Sequence, residues 1–259
     1  MDFFSALILG IVEGVTEFLP ISSTGHLILT AKLLQIPQTE FVKTFEIFIQ
    51  SGAILAVLLL YGKDLIKKRD LLKKVVVGFI PTGVIGLALY KVIKTFLLGN
   101  SQIVLWSLVL GGVAIILVEM ALKHKKITER TTESISYKDA VIIGIVQSIS
   151  IVPGVSRSAA SIVGGMALGM DRKTAVEFSF LLAIPTLLAA TGLDLVKTSY
   201  HFTSNEWISL FVGFFVSFIV AIFAIKFLLS YVRLYSFIPF GVYRILIAIL
   251  LFTLFFIHF

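Results

Sequence analysis

Two glutamates one helical turn apart, Glu13 and Glu17, lie in an almost uncharged stretch and are followed by Ser22-Ser23-Thr24-Gly25-His26. Residues spaced i, i+4 project from one helix face. A carboxylate inside an apolar segment costs roughly 2.5 to 3.5 kcal/mol on insertion scales. Two of them together must share a proton or hold a cation, because like charges oppose mutual ionisation. Glu13 and Glu17 are therefore candidate ligands for a hard divalent cation such as Mg²⁺ or Ca²⁺. The plainer reading, a solvated helix face, fits poorly with the apolar flanks.

The hydroxyls Ser22, Ser23 and Thr24 precede the apolar run LILTAKLL. Such residues are ordinary helix N-caps, which accounts for one of them. It does not account for His26, which is either a hydrogen-bonded packing residue or, beside hydroxyls and carboxylates, an acid, base or nucleophile. In the second half, Pro153-Gly154-Val155-Ser156-Arg157-Ser158 reads as a phosphate clamp. A helix N-terminus offers free N–H groups, Gly154 permits close approach, and Arg157 can grip phosphate oxygens with two prongs. The competing reading has Arg157 snorkelling to an interface.

The elements that must position these groups are membrane helices. Of the 259 residues, 58% are hydrophobic and 14% charged, and the mean hydropathy is +1.03. A soluble domain is about a quarter charged. At roughly 20 residues per crossing the chain has room for about six to eight crossings, and a single integral membrane domain over 1–259 is expected. The absence of Cys excludes disulfides and thiolate metal sites. The net charge of +7 does not point to nucleic acid, because its basic residues gather in short loops between apolar segments. With no basic residue before Lys32, a cleaved signal peptide is not expected.

Six spans are clear: Phe41–Tyr61, Val75–Leu98, Ile103–Leu122, Thr174–Val196, Trp207–Ser230 and Val242–Phe259. The loop from Lys63 to Lys74 holds six basic residues and that from Lys123 to Lys138 holds five, so both are expected in the cytoplasm. The turn Leu98-Gly99-Asn100-Ser101 is expected outside. Two further apolar stretches, Phe3 to Leu34 and Ala140 to Met170, are broken by polar residues, Pro and Gly. Irregular backbone at membrane depth survives only against protein or a water-filled cavity, so each reads as a re-entrant helix-loop-helix.

These stretches repeat each other. GIVEGVTEFLPISS from Gly10 aligns with GIVQSISIVPGVS from Gly144, pairing Glu13 with Gln147 and, after a one-residue gap, Ser23 with Ser156. FEIFIQSGAILAVLL from Phe45 lines up with VEFSFLLAIPTLLAA from Val176, setting Glu46 opposite Glu177, both read as hydrogen-bond partners for the loops. Three crossings separate the repeats, approximately 1–122 and 139–259, which inverts them and leaves both termini outside. The expected fold is thus all-α, with six transmembrane helices and two re-entrant elements in an inverted repeat, the architecture that places sites at mid-membrane where half-helices meet. Gly10 and Gly14, echoed by Gly144 and Ser148, form a small-xxx-small pattern read as close helix crossing. His124, His201 and His258 read as interfacial.

GIVEGVTEFLPISSTGH and PGVSRSAAS resemble the signature segments of the undecaprenyl-diphosphate phosphatase (bacitracin-resistance) family, and the likeness covers essentially the whole chain. The resemblance implies hydrolysis of undecaprenyl diphosphate to undecaprenyl phosphate and phosphate in the bacterial cytoplasmic membrane, with the site open to the outer face. It implies a polyprenyl diphosphate lipid as substrate, surrounding membrane lipids and no nucleic acid, and it is compatible with a homodimer. Its functional positions fall on Glu13, Glu17, Ser22, Ser23, Thr24, His26, Ser156 and Arg157. Family members often carry Thr where this chain has Ala159 to Ser161, which puts a supporting hydroxyl there in doubt. The head group is expected between the two loops, bound by Ser22, Thr24, Gly154, Ser156 and Arg157. Catalysis then falls to Glu13, Glu17, Ser23, His26 and Arg157, with Ser23, His26 or an activated water as nucleophile. The rival class is a transporter or lipid flippase, since broken helices in inverted repeats also build transporters.

Overall fold

The computed structural model describes residues 1–89, 92, 96–97, 100–123, 130–197 and 202–256. The expectations for Leu98, Gly99, His124, Lys125, Lys126, His201 and His258 lie outside the described residues. Among the described residues the protein is all-helical, with ten α-helices. They are α1 (Phe3–Thr16), α2 (Ser23–Leu33), α3 (Glu40–Lys67), α4 (Arg69–Ala88), α5 (Ser101–Leu122), α6 (Tyr137–Gln147), α7 (Arg157–Ala167), α8 (Arg172–Lys197), α9 (Ser204–Tyr231) and α10 (Ile238–Phe256). Five of these, α3, α4, α5, α8 and α9, are long and apolar enough to cross a membrane, and α10 is a shorter apolar helix. The protein is a multi-pass membrane protein.

Three spans differ from the sequence expectation by four residues or more, the first because its helix runs on from Tyr61 to Lys67. The span expected over Val75–Leu98 is helical from Arg69 and capped at Leu89. The last helix begins at Ile238 rather than Val242. Hydropathy marks only the apolar stretch, whereas backbone hydrogen bonding runs on into the charged turn at Arg69 and Asp70.

Helix starts carry local signals. Asp2 accepts from Ser5 N, Thr39 from Val42 N and Asn100 from Gln102 N and Ile103 N, while Ser136 with Asp139 and Thr203 with Glu206 form capping boxes. By contrast α1, α2, α6 and α7 have 14, 11, 11 and 11 residues. At about 1.5 Å per residue, none covers the roughly 30 Å of hydrocarbon. α1 and α2 pack on each other across the break at 17–22, and α6 and α7 across 148–156.

The half-helices dock on the opposite half of the chain: α1 lies along α9, and α6 along α4. A Cβ on Gly10 would stand 2.8 Å from the Gly213 carbonyl oxygen, one on Gly14 2.7 Å from that of Ser217, and one on Gly144 1.9 Å from that of Gly78. Only glycine allows these approaches, so the small-residue pattern is a packing device.

At one end of the bundle a polar belt ties loops to helix starts. Lys68 pairs with Glu133 at 2.5 Å, the Tyr137 hydroxyl donates to Asp70 at 2.7 Å, and Arg172 grips Glu119 through two bonds of 2.8 and 2.6 Å. Glu119 also accepts from Phe237 N, which secures the start of α10. The basic residues of 63–74 lie at this end. At the other end, the Ser209 hydroxyl of α9 reaches the Met1 carbonyl oxygen and Phe41 meets Phe202 edge-on.

Candidate active site

The two broken elements meet inside the bundle. Glu17, just past the end of α1, accepts from Arg157 Nη2 at 2.9 Å on Oε1 and from the Ser23 hydroxyl at 2.7 Å on Oε2. Arg157, the first residue of α7, also donates through Nη1 to the Ser179 carbonyl oxygen at 3.0 Å, and its Cζ lies 5.6 Å from the centre of the Phe18 ring. Its Nε is buried and has no partner among the described residues. The Ser158 hydroxyl crosses to the Leu19 carbonyl oxygen at 2.8 Å, stitching one loop to the other.

Cap chemistry places these groups. Ser22 caps α2 and Ser156 caps α7, each hydroxyl accepting a backbone N–H three residues on. Both caps have positive φ, 73° and 75°, which no other described non-glycine residue except Gln35 shares. That conformation costs on the order of 1 to 3 kcal/mol and persists only where its surroundings dictate it. The matched caps revise the sequence alignment: Ser22, not Ser23, is the structural counterpart of Ser156, and Ser23 stands opposite Arg157. The Pro20 and Pro153 anchors misplace the register: Gly10 to Ser22 and Gly144 to Ser156 are equally long, so no gap is needed and Pro153 falls opposite Leu19.

Glu13 is fully buried, and neither of its carboxylate oxygens meets a donor among the described residues. Its charged neighbours are Glu17, Glu46 and Arg157, so three carboxylates face one guanidinium. Glu46 Oε1 is likewise buried without a partner. Glu177 does not match the expectation of a loop partner. It stands 3.8 Å from Lys173, one turn back on its own helix, because α8 starts at the polar end of the bundle.

His26 turns away from the hydroxyls. Its Nδ1 is 2.7 Å from the Ser22 carbonyl oxygen, which can only accept, so Nδ1 carries the proton and Nε2 accepts from the Tyr243 hydroxyl at 2.9 Å. The ring stacks on Tyr243. Gly154, with φ 91°, allows close approach, but to α5: a Cβ there would lie 2.8 Å from the Val104 carbonyl oxygen.

A cavity of about 620 Å³ opens above this cluster. Its polar floor includes Glu17, Ser22, Ser23, Thr24, Ser156 and Arg157, and Glu13, His26 and Gly154 are not part of its lining. The remaining walls are largely apolar, including Phe79, Gly86 and Leu87 of α4 and Leu187, Leu193 and Val196 of α8. A second polar group sits in the wall. Gln147 Nε2 donates to the hydroxyls of Thr82 and Thr186, each of which follows a proline inside its helix.

Several residues that build this site escape the sequence reading. Ser179 supports Arg157 through its carbonyl and receives the Ser161 hydroxyl at 2.7 Å, so the hydroxyl in doubt at 159–161 is present and in use. Away from the site, Glu119 is buried and its partner Arg172 half-buried, both ordinary-looking charges at span ends. Arg244 is fully buried among backbone carbonyls. Its signal was available, since it is the only formally charged residue between Val242 and Phe259.

The model of the family described as bacitracin resistance protein BacA matches residues 6–250. The chain is 52% identical over 250 residues to the undecaprenyl-diphosphatase of Sulfurihydrogenibium sp. (strain YO3AOP1), covering 96% of this chain and 98% of the relative. It is 50% identical to that of Persephonella marina, covering 96% and 97%, and 49% identical to that of Aquifex aeolicus, again covering 96% and 97%.

Proposed function

The chain belongs to the bacitracin resistance protein BacA family, and from that membership we infer an undecaprenyl-diphosphatase that releases phosphate from undecaprenyl diphosphate and returns the lipid carrier phosphate for cell-wall synthesis. The observation that carries the chemistry is the amphipathic cavity. Its floor gathers Arg157, hydroxyls and two helix N-termini, the groups that bind a diphosphate, and its walls are apolar, as a polyprenyl tail requires. Hydrolysis is favoured over transport, because a transporter has no need of hydroxyls, a carboxylate and a guanidinium clustered around a phosphate-sized space.

In the membrane, α3, α4, α5, α8, α9 and α10 are taken as six crossings, and α1–α2 and α6–α7 as re-entrant elements of an inverted repeat spanning approximately 1–122 and 139–259. The exchange of docking partners between the halves, α1 on α9 and α6 on α4, supports this arrangement. The positive-inside rule assigns the basic end to the cytoplasm. The cavity lining reaches the far ends of α4 and α8, so it faces the outer side of the bacterial cytoplasmic membrane.

With the terminal phosphate on the floor, Arg157 and the amides at the starts of α2 and α7 bind its oxygens, and Ser22, Thr24 and Ser156 line the space around it. Ser23 is the nucleophile. As its Oγ bonds to the terminal phosphorus, the bond to the bridging oxygen breaks, undecaprenyl phosphate leaves, and the hydroxyl proton passes to Glu17 Oε2, already 2.7 Å away. Water then cleaves the phosphoserine and restores the serine proton. His26 holds the start of α2 through the Ser22 carbonyl oxygen. The unpartnered oxygens of Glu13 fit a hard divalent cation. No group of three His, Cys, Asp or Glu among the described residues could hold one alone, so its other ligands would come from Glu17 and substrate oxygens. When bound, such a cation neutralises charge on the diphosphate.

Phosphate release from a polyprenyl diphosphate by the detergent-purified protein tests the activity, since transport is impossible there. Release by wild type and its loss in Ser23→Ala are the expected results. An active Ser23→Ala enzyme would move the nucleophile to water.

A further inference from the structure

We infer that Arg244 is a positioning residue for this hydrolysis: a single guanidinium that fixes the spacing between the two loops, and so between Ser23 and Arg157. The inference rests on the loops forming the substrate site. Arg244 lies on α10 and is 0% exposed. Its Nη1 donates to the Pro20 carbonyl oxygen at 3.3 Å, in the first loop. Its Nη2 donates to the Gly154 carbonyl oxygen at 3.0 Å, in the second loop, and to the Ser107 carbonyl oxygen at 2.9 Å, while Nε reaches the Leu108 carbonyl oxygen at 3.3 Å.

Two features set this apart from ordinary buried packing. The bonded carbonyls are equivalent in the two loops: Pro20 lies two residues before the positive-φ cap Ser22, and Gly154 two residues before the positive-φ cap Ser156. One planar group thus holds both half-helix N-termini at matching points, and α5 supplies the fixed base through Ser107 and Leu108. The bundle also makes room for it. A Cβ on Gly111 would lie 2.3 Å from Arg244 Nη2, so this α5 position must stay bare for the guanidinium to lie flat.

None of the described hydrogen bonds of Arg244 is to a carboxylate. Neutralising a charge does not explain its placement, and spanning carbonyls on three segments does. A lysine offers the same charge at one point and cannot reach both loops with fixed geometry. A slip of about 1 Å between nucleophile and phosphate clamp is enough to lose on the order of a hundredfold in rate.

The test compares Arg244→Lys, Arg244→Gln and Gly111→Ala with wild type, measuring phosphate release on the monodisperse folded fraction and thermal stability in parallel. The positioning role predicts that all three lose kcat by about tenfold to a hundredfold at saturating substrate. It also predicts that Arg157→Lys costs far less in an Arg244→Gln background than alone, because a clamp already out of register has less to lose. Variants that melt earlier yet keep wild-type kcat per folded molecule, or a full additive penalty in the double variant, would overturn the inference. Because Gly111→Ala leaves Arg244 in place, it keeps the test open if the Arg244 variants do not fold. An inactive wild type would instead count against the hydrolase reading.

Discussion

Replacing Arg157 by lysine preserves the positive charge and removes the planar fork, and the structure sets what that should cost. In the resting site the guanidinium divides its donors between Glu17 Oε1 at 2.9 Å and the Ser179 carbonyl oxygen at 3.0 Å, leaving Nε buried and without a partner among the described residues. An ammonium group can keep the Glu17 contact but cannot also reach the Ser179 carbonyl and a phosphate oxygen from one atom. Losing a donor that acts on the transition state costs about 3 to 4 kcal/mol. At about 1.4 kcal/mol per decade this is a hundredfold to a thousandfold drop in kcat/KM. Lysine is the informative choice. An uncharged replacement would strand Glu17, 6% exposed, as an unpaired buried carboxylate, at about 3 to 5 kcal/mol of stability, and would confuse folding with catalysis. The assay is phosphate release in detergent over a range of substrate concentrations, with a melting curve on the same sample. A lysine variant with near wild-type kcat/KM would show that Arg157 only packs against Phe18 and Glu17, and the phosphate would have to bind elsewhere.

Two further outcomes are expected. A cysteine introduced at Lys68 should resist an impermeant thiol reagent in intact cells and react once the membrane is opened; labelling in intact cells would reverse the topology and turn the cavity toward the cytoplasm. Chelation should abolish phosphate release, with Mg²⁺ or Ca²⁺ restoring it. Glu13→Gln should chiefly blunt that metal response, whereas Glu17→Gln should also lower activity at saturating metal, because it weakens the Arg157 pair and the Ser23 contact. Full turnover of stripped protein in chelator would remove the cation and leave the hydrolase intact.

Much of this site was legible because a membrane makes polar residues conspicuous. Glu13, Glu17, the Ser22–Thr24 hydroxyls and Arg157 stand out against apolar flanks, and breaks at Pro20 and Pro153 mark where helices must stop. What sequence could not give is direction. His26 lies four residues from the cap Ser22, the ordinary spacing for a side chain that folds back on its own turn, yet only the position of α10 reveals that its far nitrogen faces Tyr243. Gly154 was rightly a site of close approach, but proximity in sequence to Arg157 suggested phosphate where the neighbour is α5. Arg244 was overlooked for a related reason. A single arginine in an apolar helix has no local partner to suggest its task, since its partners are carbonyls brought from three other segments.

The division of charge between the two halves follows from the same packing. Were both broken elements to carry the glutamates of the first, four carboxylates would meet inside the bundle. The second half instead has Gln147 where the first has Glu13, its amide nitrogen donating to the Thr82 and Thr186 hydroxyls. It also has Arg157 where the structure sets Ser23 in the first. The neutral amide adds no further negative charge, and the Arg157 guanidinium reaches from the second half of the chain to Glu17. In the proposed reaction one loop supplies the nucleophile and its proton acceptor while the other supplies the cation that binds phosphate. On that proposal the chemistry needs both loops, so the atoms that hold them in register matter to it as much as those that touch the substrate.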